Sequence, residues 1–197
     1  MTDATPPTRR PEHDVAPMFP ARWSPRSLTA APVTEAQVMT LLEAARWAPS
    51  ASNHQPWRLV WALRGEPAFD AITAALVPFN QDWAGKAAAL IVVASDDRVA
   101  GRDGTLAANR WAAFDSGAAW MALALQAEAL GLVAHAMGGF DAAALAGAVA
   151  LPEAHSLHAV VAVGHQGRAG DLPEGLRARE VPSPRKALAE IARRGRF

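Results

Sequence analysis

Four short stretches of the chain hold residues whose types and spacing suit chemistry. In RWSPRS (22–27), Arg22, Ser24 and Arg26 alternate, so an extended segment turns all three to one side. Two guanidinium groups flanking a hydroxyl make a receptor for a phosphate dianion. Read alone, the stretch also fits a solvated basic loop. In APSASNHQPW (48–57), Asn53 and Gln55 alternate in the same way, and each amide offers both a donor and an acceptor. Such groups match the imide edge of a planar heterocycle, which also alternates donor and acceptor. Pro49 and Pro56 restrict the backbone on either side and lower the entropy cost of holding the loop ready; a polar loop with turn chemistry is the alternative. MGGFD (137–141) sits at a strand-to-helix junction, where two glycines allow close backbone approach to a flat ligand, or simply make a turn into a helix capped by Asp141. SPRK (183–186) is a second cationic element, or a basic C-terminal surface.

Several chemistries have no support. The chain contains no cysteine, which removes disulfides, thiolate nucleophiles and iron–sulfur ligation. It has no tyrosine, no phosphate-binding P-loop, no G-x-G-x-x-G between strand and helix, and no G-x-S-x-G elbow. His155 and His158 stand three apart without a carboxylate at ligand spacing, so no metal site is expected. Nineteen basic residues balance nineteen acidic ones, which argues against a nucleic-acid or anionic-membrane surface.

Those four stretches need elements to hold them. At 197 residues, 51% apolar and 19% charged, the chain is expected to form one domain with a sizeable core, over 19–197, after a polar, disordered tail at 1–18. The tail has no apolar run of the kind a signal peptide carries, and the absence of cysteine fits a cytoplasmic setting. Thr34 and Gln37 have capping-box spacing, and Val38, Leu41, Leu42 and Ala45 follow at helical spacing up to Pro49. Strands are expected at 57–63, 87–95, 132–136 and 157–164, with helices at 67–77, 105–130, 141–149 and 185–193. AAWMALALQAEAL, within 105–130, is apolar almost all round, as in a large core or a subunit interface. Strands and helices in alternation indicate an α/β or α+β chain.

Taken together, these stretches resemble the flavin-dependent nitroreductase family. The pattern is R-x-S-x-R, then A-R-W-A-P-S-x-S-N-x-Q-P-W after the first helix, F-N-x-x-W-A before a buried strand, D-S-G-A-A and A-L-G-L bounding the long helix, G-G-F-D, A-V-V-A-V-G and P-R-K-x-L. The resemblance runs over about residues 20 to 193. It implies an α+β fold with a central, mostly antiparallel sheet flanked by helices, built as an intertwined homodimer whose C-terminal segment wraps the partner. It implies FMN, with NADH or NADPH as reductant, and a ping-pong reduction of a planar, electron-poor acceptor such as a nitroaromatic or quinone. No nucleic acid and no membrane take part. Arg22, Ser24, Arg26 and Arg185 would grip the phosphate. Pro49, Ser50, Ser52, Asn53 and Gln55 would contact the ring held by the neighbouring chain, Asn80 would read its pyrimidine edge, and Gly138 and Gly139 would approach N5. The flavin carries the chemistry, so no side chain is expected to act as a catalytic group. Trp83, where relatives often carry a lysine, is a candidate substrate wall with Asn109, Trp111 and Phe114; for the aromatic ones, core packing is the alternative. Other readings are a non-catalytic FMN-binding or sensing protein, a divergent flavin enzyme that dehalogenates or cleaves flavin, and a helical interaction module without cofactor.

Overall fold

A computed structural model describes residues 9–101 and 103–197. Four strands form the main sheet: β1 (Trp57–Leu63), β2 (Ala89–Asp96), β5 (Val133–Met137) and β6 (His155–Gly164). Their order is β1-β2-β6-β5, and every neighbouring pair is antiparallel. The two-residue period of the strands splits the core into two layers. Ile91, Val93, Val161 and Val163 face helices α2 (Glu35–Arg46) and α5 (Ala112–Ala129). Leu90, Val92, Val160 and Ala162 face α3 (Pro67–Ala74), α4 (Pro78–Ala84), α6 (Ala142–Ala148) and α7 (Glu174–Arg177). The architecture is therefore an antiparallel sheet between two helical layers, the expected α+β class.

Local rules account for most boundaries. Thr34 caps α2, and the capping box with Gln37 is formed in both directions. Asp141 caps α6 by accepting from Ala144 N at 2.9 Å. The expected helix over 67–77 is instead two helices. The first ends at Ala74, Leu76 bridges to Phe140, and Pro78, which cannot donate inside a helix, opens α4 at its first turn. The expected helix over 105–130 starts only at Ala112. Ahead of it β3 (Arg98–Ala100) and β4 (Leu106–Ala108) pair as a hairpin, and Asn109 then turns the chain by accepting from Trp111 N. The last helix shrinks to one turn, α8 (Leu188–Ile191), within a segment that is exposed almost throughout.

Of the residues expected to form a polar tail, 1–8 lie outside the described part. Residues 9–17 lead into a one-turn helix, α1 (Met18–Ala21), that packs against α5. The long α5 is buried on one side only. Ala119, Leu123 and Ala127 lie in the core, whereas Phe114, Gly117 and Met121 form an uncovered apolar stripe at helical spacing, Phe114 being 75% exposed. Among the described residues no helix is long and apolar enough to cross a membrane.

Candidate functional site: a cationic cradle and a strained loop

The segment carrying Arg22, Ser24 and Arg26 runs without helix into a β-bridge at Leu28. It is pinned beside the end of β6. Gly167 N donates to Ser27 O at 2.8 Å, and Ser27 Oγ donates to Arg168 O at 2.6 Å. A Cβ on Gly167 would sit 2.6 Å from Ser27 Oγ, so the close approach requires glycine. Glu180, itself buried, accepts from Arg26 N at 2.8 Å and Ser27 N at 2.7 Å, tying the motif to a residue more than 150 positions away. The segment forms no helix or strand, and it brings Arg22, Ser24 and Arg26 to one place, where Arg22 Nη1 donates to Ser24 Oγ at 3.2 Å.

The result is a cavity of about 190 Å³ lined by Arg9, Arg22, Ser24, Arg26, His135, Arg179, Ser183 and Arg185, with Trp23 and Val181. The two cationic stretches of the sequence thus meet in one place, joined by three residues the sequence did not single out. His135 comes from the middle of β5, Arg9 from ahead of α1, and Arg179 from just after α7. Burial, with the charge of Arg185, pulls the Arg9 and Arg22 guanidiniums below the ordinary arginine value; for Arg26 the causes are burial and Arg179. Arg9 Nη1 and Arg26 Nε are buried with no hydrogen-bond partner among the described residues. An unpaired buried donor on a charged group is costly, and an anion in the cavity would relieve that cost. His135 donates Nδ1–H to Pro25 O at 3.0 Å and lies against Trp83, ring centroids 4.6 Å apart. Burial lowers its pKa to about 4; the charges of Arg26 and Arg22 lower it too, while the hydrogen bond to Pro25 works the other way. The ring is therefore neutral at pH 7.

β5 carries the chain from His135 to Gly138 and Gly139, just past the strand end. Asn80, on α4, donates Nδ2–H to Gly139 O at 3.0 Å, and Val77 N donates to the same carbonyl at 3.1 Å. A Cβ at Gly139 would lie 2.8 Å from Asn80 Nδ2 and 2.9 Å from Val77 Cγ2, so only glycine fits. Asn80, Gly138 and Gly139 thus cluster at one end of the strand whose middle lines the cradle.

The loop after α2 has a different character. Ser52, Asn53 and Gln55 all hold positive φ, at 49°, 56° and 50°, and none is glycine. The chain is a 3₁₀ turn over Ala51–Asn53 rather than extended, so strand alternation is not what orients the Asn53 and Gln55 amides. Such backbone is held only where the surroundings over-determine it. Here Gln55 N donates to Ser50 Oγ at 3.0 Å, and Ala51 N donates at 3.1 Å to Asp115, a buried carboxylate in the first turn of α5. Pro49 and residues 52–55 remain exposed. Trp111 and Phe114 stand beside this anchor, ring centroids 6.2 Å apart in an edge-to-face pair, with the Arg110 guanidinium 4.6 Å from the Trp111 ring centre. Asn109 is buried and spends Oδ1 on Trp111 N. Trp83 is a core residue, 1% exposed, and presents no open face to a substrate.

An antiparallel sheet between helical layers, with an arginine-lined cavity beside the sheet's edge strand and a glycine turn past the end of that strand, defines an α+β protein with a cationic cleft. The model of the Nitroreductase family matches residues 20–77 and 64–165, and the chain belongs to that family. It is similar to the crystal structure of an oxidoreductase containing FMN, with 40% identity and a TM-score of 0.94 over 100% of this chain and 98% of that one. A candidate nitroreductase in complex with FMN from Desulfovibrio desulfuricans is 29% identical, with a TM-score of 0.72 over 93% of this chain and 99% of that one. An uncharacterised 15.4 kDa protein of Mycolicibacterium smegmatis is 38% identical over 125 residues, 63% of this chain and 81% of its own.

Proposed function

We propose that the protein is an FMN-dependent oxidoreductase, working as a homodimer, that passes electrons from NADH or NADPH to a planar, electron-poor acceptor in ping-pong fashion. The observation that carries this reading is the arginine cradle with its two unpartnered buried guanidinium nitrogens. A phosphate monoester dianion held in this cavity would offset the crowding of cations. The family and the two FMN-containing relatives supply the identity of the group that bears the phosphate. When bound, FMN supplies two-electron transfer at its N5.

In this reading the chain's residues hold and orient. Arg22, Ser24, Arg26 and Arg185 fix the phosphate. Gly138 and Gly139 bring backbone close to the ring without a side chain in the way. Asn80, steadied by its bond to Gly139 O, presents the rest of its amide to the pyrimidine edge. No titrating side chain is needed as acid or base.

The loop belongs to the other subunit's site. Ala51 is tied to Asp115 at the start of α5, whereas the Glu128 carboxylate, at the far end, acts on Arg9 and Arg22 in the cradle. Thirteen residues of helix separate the two, about 20 Å. A two-fold axis that pairs α5 helices antiparallel across the Phe114–Gly117–Met121 stripe brings each loop to the partner's cradle and covers the exposed apolar face. Pro49, Ser50, Ser52, Asn53 and Gln55 would then face a flavin held by the partner, with Trp111 and Phe114 as aromatic walls and Asn109 behind them.

Purified protein should be yellow. Mixing it anaerobically with NADH and separately with NADPH in a stopped-flow instrument should bleach the flavin with at least one, and a quinone or nitroaromatic should restore the colour. Colourless protein that takes up no added FMN sinks the cofactor assignment. Bound flavin that neither nicotinamide bleaches makes this a binding protein.

A further inference from the structure

The family's motif accounts for Arg22, Ser24, Arg26 and Arg185, but not for Arg9. Arg9 lies ahead of the residues matched by the family's model, which begin at 20. Yet it is the most enclosed arginine of the cradle, 6% exposed. Its Nη2 donates to Arg22 O at 2.9 Å, which ties the guanidinium to the backbone of the motif. Its Nη1 is buried and has no acceptor among the described residues, and the residue lines the same cavity as Arg22, Arg26 and Arg185. No ion pair compensates it: the described salt bridges involve other arginines, and Glu128 acts on Arg9 less strongly than burial and Arg185 do. An anion in the cavity would supply the counter-charge that the described residues do not give this guanidinium.

The segment that delivers Arg9 is also latched to the segment that follows Arg185. Glu12 Oε1 accepts from Leu188 N at 2.8 Å, three residues after Arg185. The start and the end of the described chain are thereby joined, and each also contributes an arginine, Arg9 and Arg185, to the cradle.

Resting on the FMN reading, we propose that Arg9 is a further ligand of the flavin phosphate and that it makes the site selective for the phosphorylated flavin over riboflavin. The phosphate is the only part of FMN that riboflavin lacks, so a residue that acts through it must discriminate between the two. A residue that merely supports the fold would weaken both.

The test is flavin binding by the full-length protein stripped of flavin, followed by fluorescence quenching with FMN and with riboflavin. Arg9→Gln, which keeps the polar character and a donor but removes the charge and the terminal fork, should weaken FMN about tenfold or more. Riboflavin affinity should stay within about twofold. Arg9→Lys should fall between Arg9→Gln and the unaltered protein for FMN, because a point charge replaces a planar fork. The FMN affinity of Arg9→Gln should also decline less steeply with added salt than that of the unaltered protein. Unchanged FMN affinity in Arg9→Gln overturns the proposal, as does an equal loss for both ligands. Failure of the unaltered protein to bind FMN overturns the cofactor reading itself, which is a separate result.

Discussion

The cradle and the loop are the two polar concentrations of this molecule, and they are built in opposite ways. The cradle is assembled from distant parts of one chain: residue 9, residues 22–26, residue 135 and residues 179–185. Its backbone is ordinary and its difficulty is electrostatic, a cluster of cations with unspent donors. The loop is contiguous and nearly uncharged, and its difficulty is conformational, three non-glycine residues at positive φ within four positions. The cradle is a concavity complete within a single chain. The loop projects its side chains outward, at the other end of an 18-residue helix. A site that stores charge waits for an anion, and a loop that stores strain facing outward is shaped for something brought to it.

The sharpest way to break that contrast is to reverse one charge. Arg26→Glu places a carboxylate beside the phosphate position and next to Glu180, which already holds the Arg26 and Ser27 amides. FMN retention should be lost altogether, read as the absence of flavin absorbance after purification and dialysis. Retained flavin would remove Arg26 from the cradle's function.

A second change tests whether the loop and cradle that work together come from different copies. An added Cβ at Gly117 meets open space within the chain, so Gly117→Arg should fold normally. It should nevertheless block close pairing of α5 helices. The expected outcome is a monomer by light scattering, with unchanged far-UV circular dichroism and turnover reduced about a hundredfold or more. A Gly117→Arg dimer would show that the stripe is not the interface.

How much of this was legible in the chain follows the same division. Arg22, Ser24 and Arg26 were readable because they are close in sequence and their segment, outside any helix, brings them to one cavity. The Thr34–Gln37 box and the alternation of β2 and β6 were readable for similar local reasons. Arg9, Arg179 and His135 were not, since nothing in their neighbours marks them and only tertiary packing brings them to the cavity. The loop was noticed for its composition, but its geometry was misread: positive φ at Ser52 and Gln55 has no glycine to announce it. The hairpin of β3 and β4 hid in alanines that favour helix, and α4 hid behind a proline that reads as a stop but serves as a start.

Asp115→Ala sharpens the comparison from the loop's side. It removes the acceptor for Ala51 N at a buried position and frees backbone that Asp115 helps hold in its strained form. Turnover should fall about tenfold under the proposal that the ring's walls come from the partner's loop. FMN's advantage over riboflavin in binding should be unchanged, because that advantage lies in the cradle. A loss of that advantage would mean that the two regions are one site within one chain.

The smallest effect concerns His135 and tests the cradle's stored charge. Its folded pKa of about 4 lies below the ordinary 6.5, so between those values the unfolded chain binds the extra proton and the folded chain does not. Stability in the absence of flavin should therefore fall as pH drops from 6.5 towards 4, by about 2 kcal/mol from this group at pH 5. His135→Gln, which cannot titrate, should flatten that part of the profile in thermal unfolding. A phosphate dianion in the cavity opposes the cations that hold the ring neutral, along with its burial, and raises its pKa. Unfolding followed with saturating FMN should then show a smaller acid loss than without it. An acid loss of the same size with and without FMN would place the phosphate away from His135, and so away from the wall that Arg22, Arg26 and Arg9 form around it.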